Sequence, residues 1–112
     1  MSYFNKFDKK EKTIGRTVEV DDRFYTILEK LSKETYDASI NKLVNAAIEK
    51  LVETENIKTY DQTNSTKIVR TFLIRSSLMN SLKDLRKKYK IPVYLLINIA
   101  IRNALVDEGL IK

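Results

Sequence analysis

The chain has 112 residues, enough for one compact core or two very small units that share one, and too few for two independent cores. It contains no Cys and no His, which removes disulfides, thiolate chemistry, imidazole bases and the commonest zinc sites together and weighs against an enzyme. The net charge of +6 is concentrated in residues 68–112, with nine basic against three acidic side chains, and this field suits a polyanionic partner such as nucleic acid.

In chain order, residues 1–13 read as a flexible basic arm, polar but with Tyr3, Phe4 and Phe7. No apolar run approaches the roughly 20 residues of a membrane span, and MSYFNKFDKKEK lacks a signal peptide's apolar segment. A cytoplasmic protein without membrane contact or cofactor is the expectation. RTVEVDDRF (16–24) alternates as a short strand over residues 16–20, with Val18 and Val20 on one side and Thr17 and Glu19 on the other. Asp21 and Asp22 then favour a helix start, and Phe24, Leu28 and Leu31 give a stripe to about Thr35. Ser39 is the expected N-cap of a second helix with Ile40, Leu43, Val44, Ala47, Ile48 and Leu51 inward. TENIKTYDQTNST (54–66) carries no helical stripe and reads as a polar linker.

The order then recurs. A strand is expected at about 68–74, a helix from Ser76 with Leu78, Leu82, Leu85 and Tyr89 inward, and a last helix from Pro92 to about Asp107. Pro92 suits the first helical position and Gly109 the place just past the end. RTFLIRSSL (70–78) repeats RTVEVDDRF, and Phe24, Leu28 and Leu31 fall on Leu78, Leu82 and Leu85. After a one-residue shift in the turn, Ile40, Val44, Ala47 and Ile48 match Val93, Ile97, Ala100 and Ile101, and Asn45 matches Asn98. This is an internal duplication of a strand-helix-helix unit, 14–53 and 67–112. One such unit buries too little surface to stand alone, and its strand has no ladder. Two units sharing a core solve both problems, with the strands paired antiparallel on four helices.

RTVEVDDRFYTILEKLSKETYDASINKLVNAAIEKLV and IVRTFLIRSSLMNSLKDLRKKYKIPVYLLINIAIRNAL together resemble the ribbon-helix-helix DNA-binding proteins of the Arc and MetJ type. The resemblance implies a mainly α fold with a short two-stranded antiparallel β-ribbon, here a tandem pseudo-dimer in one chain. It also implies a ribbon in the DNA major groove, where every base pair presents a distinct edge. On that reading the base-contacting positions are Gly15, Thr17, Glu19, Val69, Thr71 and Leu73, which depart from the family's usual Arg, Lys, Asn or Gln. The resemblance further implies a phosphate held at the start of each unit's second helix, at Ser39, Ile40 and Asn41 and at Val93 and Tyr94. Lys87, Lys88 and Lys90 would add charge there, and Arg16 and Arg70 would reach flanking phosphates.

VYLLINIAIRNALV is apolar on too many sides for one buried stripe. The surplus at Leu95, Leu96 and Ile99 is expected to form an oligomer contact between whole molecules on adjacent DNA repeats. The expected role is transcriptional repression. The alternative is a relaxosome accessory protein that binds a plasmid transfer origin in conjugation beside a relaxase. A third reading, an antitoxin or protein-interaction module, is weakened because only GLIK follows the last helix's turn.

Overall fold

The two alternating stretches find each other. In a computed structural model describing residues 11–35, 39–62 and 65–111, β1 (Thr13–Asp21) and β2 (Lys67–Arg75) form a two-stranded antiparallel sheet. Its register sets Thr17 opposite Thr71, Gly15 opposite Leu73 and Glu19 opposite Val69. Both strands outrun the expected 16–20 and 68–74, because a ladder is built from backbone groups that Thr13, Ile14 and Gly15 also supply. Val18, Val20, Phe72 and Ile74 turn onto the helices and are buried. The arm's Tyr3, Phe4 and Phe7 lie outside the described residues, but Glu11 and Lys12 already contact the start of α3 (Ser76–Tyr89).

α1 (Asp22–Lys30) buries Phe24 and Leu28 and continues as a π turn over Leu31–Thr35, so the helix expected to Thr35 widens in its last turn. α2 (Ile40–Thr54) is capped as expected, Ser39 Oγ accepting from the Lys42 N–H at 3.2 Å. Val44, Ala47, Ile48 and Leu51 are buried, with Ile40 and Leu43 at the margin. α3 buries Leu78, Met79, Leu82 and Leu85. Tyr89, expected inward, is only half-buried, and its hydroxyl donates to Glu55 Oε1 at 2.7 Å. α4 (Val93–Asp107) starts one residue later than expected: Pro92 is its N-cap, and the Pro92 carbonyl accepts from Leu95 and Leu96. Gly109 stands past the end with φ 76°, where a glycine is favoured.

The surplus apolar surface of α4 lies inside one molecule. Leu96 and Ile99 are fully buried and Leu95 packs half-buried against the core, so these three do not form the exposed contact expected between molecules. α4 touches α1, α2, α3 and β1, and the connector before β2 folds back onto it. Asn103 Nδ2 donates to the Asn56 carbonyl at 2.9 Å, and Ile57 and Tyr60 pack against the core. A helix packed by so many elements needs apolar residues on more than one stripe. The connector that reads as polar is thus anchored at Ile57 and Tyr60, and burial pushes the Tyr60 hydroxyl up to about 12.

Helices and strands exchange partners across the sheet: α2 packs on β2, and α4 packs on β1. At the first of these contacts Asn45 Nδ2 donates to the Leu73 carbonyl at 2.8 Å, and Asn45 Oδ1 accepts from the Arg75 N–H at 2.9 Å. At the second, Asn98 Nδ2 donates to the Glu19 carbonyl at 2.9 Å, and Asn98 Oδ1 accepts from the Asp21 N–H at 3.0 Å. Each amide occupies outward-facing backbone groups of an edge strand, groups that burial would otherwise leave unpaired. The ladder is extended at both ends by matching bonds, Asp22 N–H to the Thr66 carbonyl and Ser76 N–H to the Lys12 carbonyl, both at 2.9 Å. Among the described residues, no single helix is long and apolar enough to cross a membrane.

Candidate nucleic-acid interface

Alternation sends one side of each strand to solvent, and all six positions expected to meet bases are there. Gly15, Thr17, Glu19, Val69, Thr71 and Leu73 are exposed, Val69 at 58% and Leu73 at 47%. Thr17 Oγ1 and Thr71 Oγ1 share a hydrogen bond of 2.7 Å at the centre of the ribbon. Glu19 and Leu73, of the same parity, send their backbone carbonyls outward to Asn98 and Asn45, so the Thr pair is a non-hydrogen-bonded one, where opposing side chains come closest. One hydroxyl hydrogen is therefore spent inside the pair, and the other remains for a ligand. Gly15 faces Leu73 across the ribbon. A Cβ there would sit 3.7 Å from Thr71 Cγ2 and 3.9 Å from Leu73 Cδ2, which is ordinary contact. At that level of the ribbon Leu73 is the only side chain presented.

The cations expected near phosphates are distributed unevenly. Arg16 leaves β1 to join Arg86, Lys87 and Lys90 around a recess of about 510 Å³, completed by Ile91, Pro92 and Val93 at the start of α4. Among the described residues, no carboxylate lies within 4 Å of any of these four cations. Arg70, the counterpart of Arg16, lies instead with its guanidinium 4.9 Å from the Tyr25 ring centroid while Nη1 donates to the Val69 carbonyl. Lys88 departs from the expected cluster. Its ammonium donates to Glu55 Oε1 at 2.7 Å, which holds Lys88 above its ordinary pKa through that bond and points it at the connector. It does not line the recess with Lys87 and Lys90.

At the start of α2 the side chains are committed to the frame. Ser39 caps the helix, and Asn41 Oδ1 accepts from the Leu73 N–H at 3.0 Å, tying this helix start to the β2 edge. Ile40 is half-buried beside them. At the start of α4, Val93 is buried and Tyr94 half-buried, so what that end offers a ligand is backbone amide and surrounding cation rather than these side chains. Both helix starts abut a strand edge. Among the described residues, it is the α4 start that is ringed by positive charge.

Asp21 anchors the ribbon's other corner. Burial alone would raise its carboxyl pKa, but the bonds from the Arg23 N–H and guanidinium outweigh that and hold it below the usual carboxylate range, helped by Lys67. Sequence reasoning aligned Asn45 with Asn98 but gave neither a role. The available signal was an amide at the same place on the inward side of each unit's second helix. It also passed over Lys67 and Arg75, which continue the outer parity of β2 by one step at each end, and Arg86, one turn before Lys90. Among the described residues no group of three or more His, Cys, Asp or Glu could hold a metal ion. No family model, curated protein or solved structure matches this chain.

Proposed function

We propose that this chain is a tandem ribbon-helix-helix protein, one chain forming the pseudo-dimer, which binds double-stranded DNA sequence-specifically through the major groove and acts as a transcriptional repressor. The pseudo-dimer reading is supported by the paired amide contacts, Asn45 on β2 and Asn98 on β1, and by Thr17 facing Thr71, its counterpart in the other half. The DNA reading is carried by one observation above the rest: β1 turns Thr17 and Glu19 outward, while Arg16, on its opposite parity beside Val18, reaches the four-cation recess at the α4 start, so one strand serves a side able to meet base edges and a cation set able to hold backbone phosphate. A ribbon fits the major groove, and phosphate contacts beside it fix register and orientation without reading sequence. The unlike outer faces of β1 and β2 suit an asymmetric half-site rather than a palindrome.

Selection of duplexes from a random pool, followed by a salt titration, tests this. The selected duplex should lose affinity with a log-log slope of roughly −0.9 for each phosphate neutralised. Lys87→Ala and Arg86→Ala should weaken binding about uniformly across sequences and each reduce that slope by about 1. Thr17→Ala with Thr71→Ala should lower preference for the selected site more than nonspecific affinity. A flat salt response would reject the recess as a phosphate site. Specificity that moves with Lys87 and ignores the Thr pair would reject the groove assignment.

A further inference from the structure

The outer side of β2 alternates in an ordered way: Lys67, Val69, Thr71, Leu73, Arg75. Cations stand at both ends, Thr at the centre, and an exposed branched apolar side chain at each place between. The facing positions of β1 are small or acidic, with Gly15 opposite Leu73 and Glu19 opposite Val69. From this arrangement, and resting on the DNA-binding reading above, we propose that β2 is the reading strand and that Val69 and Leu73 recognise thymine 5-methyl groups. The methyl is the one apolar mark in the major-groove pattern of bases, and aliphatic side chains contact it without needing a hydrogen bond.

Charge and layout select this occupant over a protein surface. Thr17 and Thr71 separate Val69 from Leu73, so the exposed apolar area is two isolated spots rather than one contiguous patch of the kind that seats a protein partner. Cations stand at both ends of this row: Lys67 at one end and Arg75 at the other, where it lies 3.7 Å from Glu49. At the Leu73 level Gly15 contributes no side chain, so whatever is read there is read by an apolar group alone. At the Val69 level Glu19 adds an acceptor suited to a cytosine amine. The four residue steps from Val69 to Leu73 span about 13 Å, which places the two methyl-dependent positions about four base pairs apart.

The test uses the full chain and the duplex it selects from a random pool, compared with the same duplex carrying deoxyuridine for thymidine, which deletes the methyl and leaves base pairing intact. Binding should weaken about fourfold for each contacted methyl, on the order of tenfold in all, and single replacements should map to two clusters. Leu73→Ala should abolish the sensitivity at one cluster and keep it at the other, with Val69→Ala doing the reverse. Both side chains are exposed, and a second variant, Leu73→Gln, should shift the preferred base at its cluster from thymine toward adenine. A selected duplex bound equally well with uracil overturns the methyl proposal and leaves DNA binding standing. Failure of any duplex to be enriched overturns the DNA reading itself.

Discussion

At the start of α1 the cap is local: Asp21, fully buried, accepts from the Arg23 N–H at 3.0 Å and from its guanidinium at 2.7 Å. At the start of α3 the same place holds Arg75, which makes no side-chain cap. There Glu11 reaches over from the beginning of the other strand and accepts from the Ser76 hydroxyl and the Ser77 N–H, and those Ser77 bonds hold its carboxyl below the usual range. The amide contacts differ in the same way, since Asn98 is buried and Asn45 half-buried with Asn41 assisting at Leu73. Backbone pairing is repeated in the two halves. The side chains that finish its ends differ, and with them the cations: among the described residues, the four-cation recess lies at the α4 start.

The burial difference between the two amides yields the largest expected effect. Asn98→Leu removes the partners of the Glu19 carbonyl and the Asp21 N–H in a closed part of the core, and should destabilise by about 2–4 kcal/mol. Asn45→Leu strands its two ribbon partners where water reaches more easily, and about 1–2 kcal/mol is expected. Urea unfolding of the two variants measures the difference directly. Equal losses would mean that the frame is more symmetric than the burial indicates.

The caps come next. Because the folded-state pKa of Asp21 lies below its ordinary value of 3.8, its contribution is fully present at neutral pH and is lost as the pH falls below about 4 through the folded value. Urea midpoints should therefore drop between pH 5 and pH 3, and Asp21→Asn should flatten that dependence while costing about 1–2 kcal/mol at neutral pH. Glu11→Gln should flatten a separate part of the same acid limb, since its carboxyl is also held low. An acid limb that neither substitution alters would place the pH-sensitive carboxylates elsewhere in the molecule.

Which parts could be read from the sequence follows from what each part depends on. Alternation marked the buried and exposed faces of the ribbon, and the helical stripes marked most of the core, because both are periodic. Leu96 and Ile99 were misjudged because α4 is packed by α1, α2, α3 and β1 together, an arrangement of distant elements that one helix's own period cannot announce. Asn98 looked like one more aligned residue because its partners, Glu19 and Asp21, are backbone groups far away in the chain. Lys88 and Lys87 are neighbours in one basic run, yet helical rotation sends one to Glu55 and the other to the recess. The recess itself needs Arg16 from β1 beside Lys90 from the α3–α4 turn, a juxtaposition only the folded chain makes.

Lys90 offers the smallest effect and the sharpest separation of frame from site. It ends α3 in the left-handed region at φ 60°, a conformation that favours glycine and costs a side chain on the order of 1 kcal/mol. Its ammonium meanwhile belongs to the cation set around the α4 start. Lys90→Gly should therefore act with opposite signs. Thermal unfolding should rise with a gain of about 0.5–1 kcal/mol, while the salt slope for DNA falls by about 1 and affinity weakens across all sequences. Glu55, left-handed at φ 51° at the end of α2, supplies the contrast, because it holds Lys88 and Tyr89 outside the recess. Glu55→Gly relieves similar backbone strain, loses those two contacts and leaves the recess cations in place, so DNA affinity should stay unchanged. If both variants weaken DNA binding alike, the positive end of α3 acts as one diffuse field and the recess has no privileged place within it.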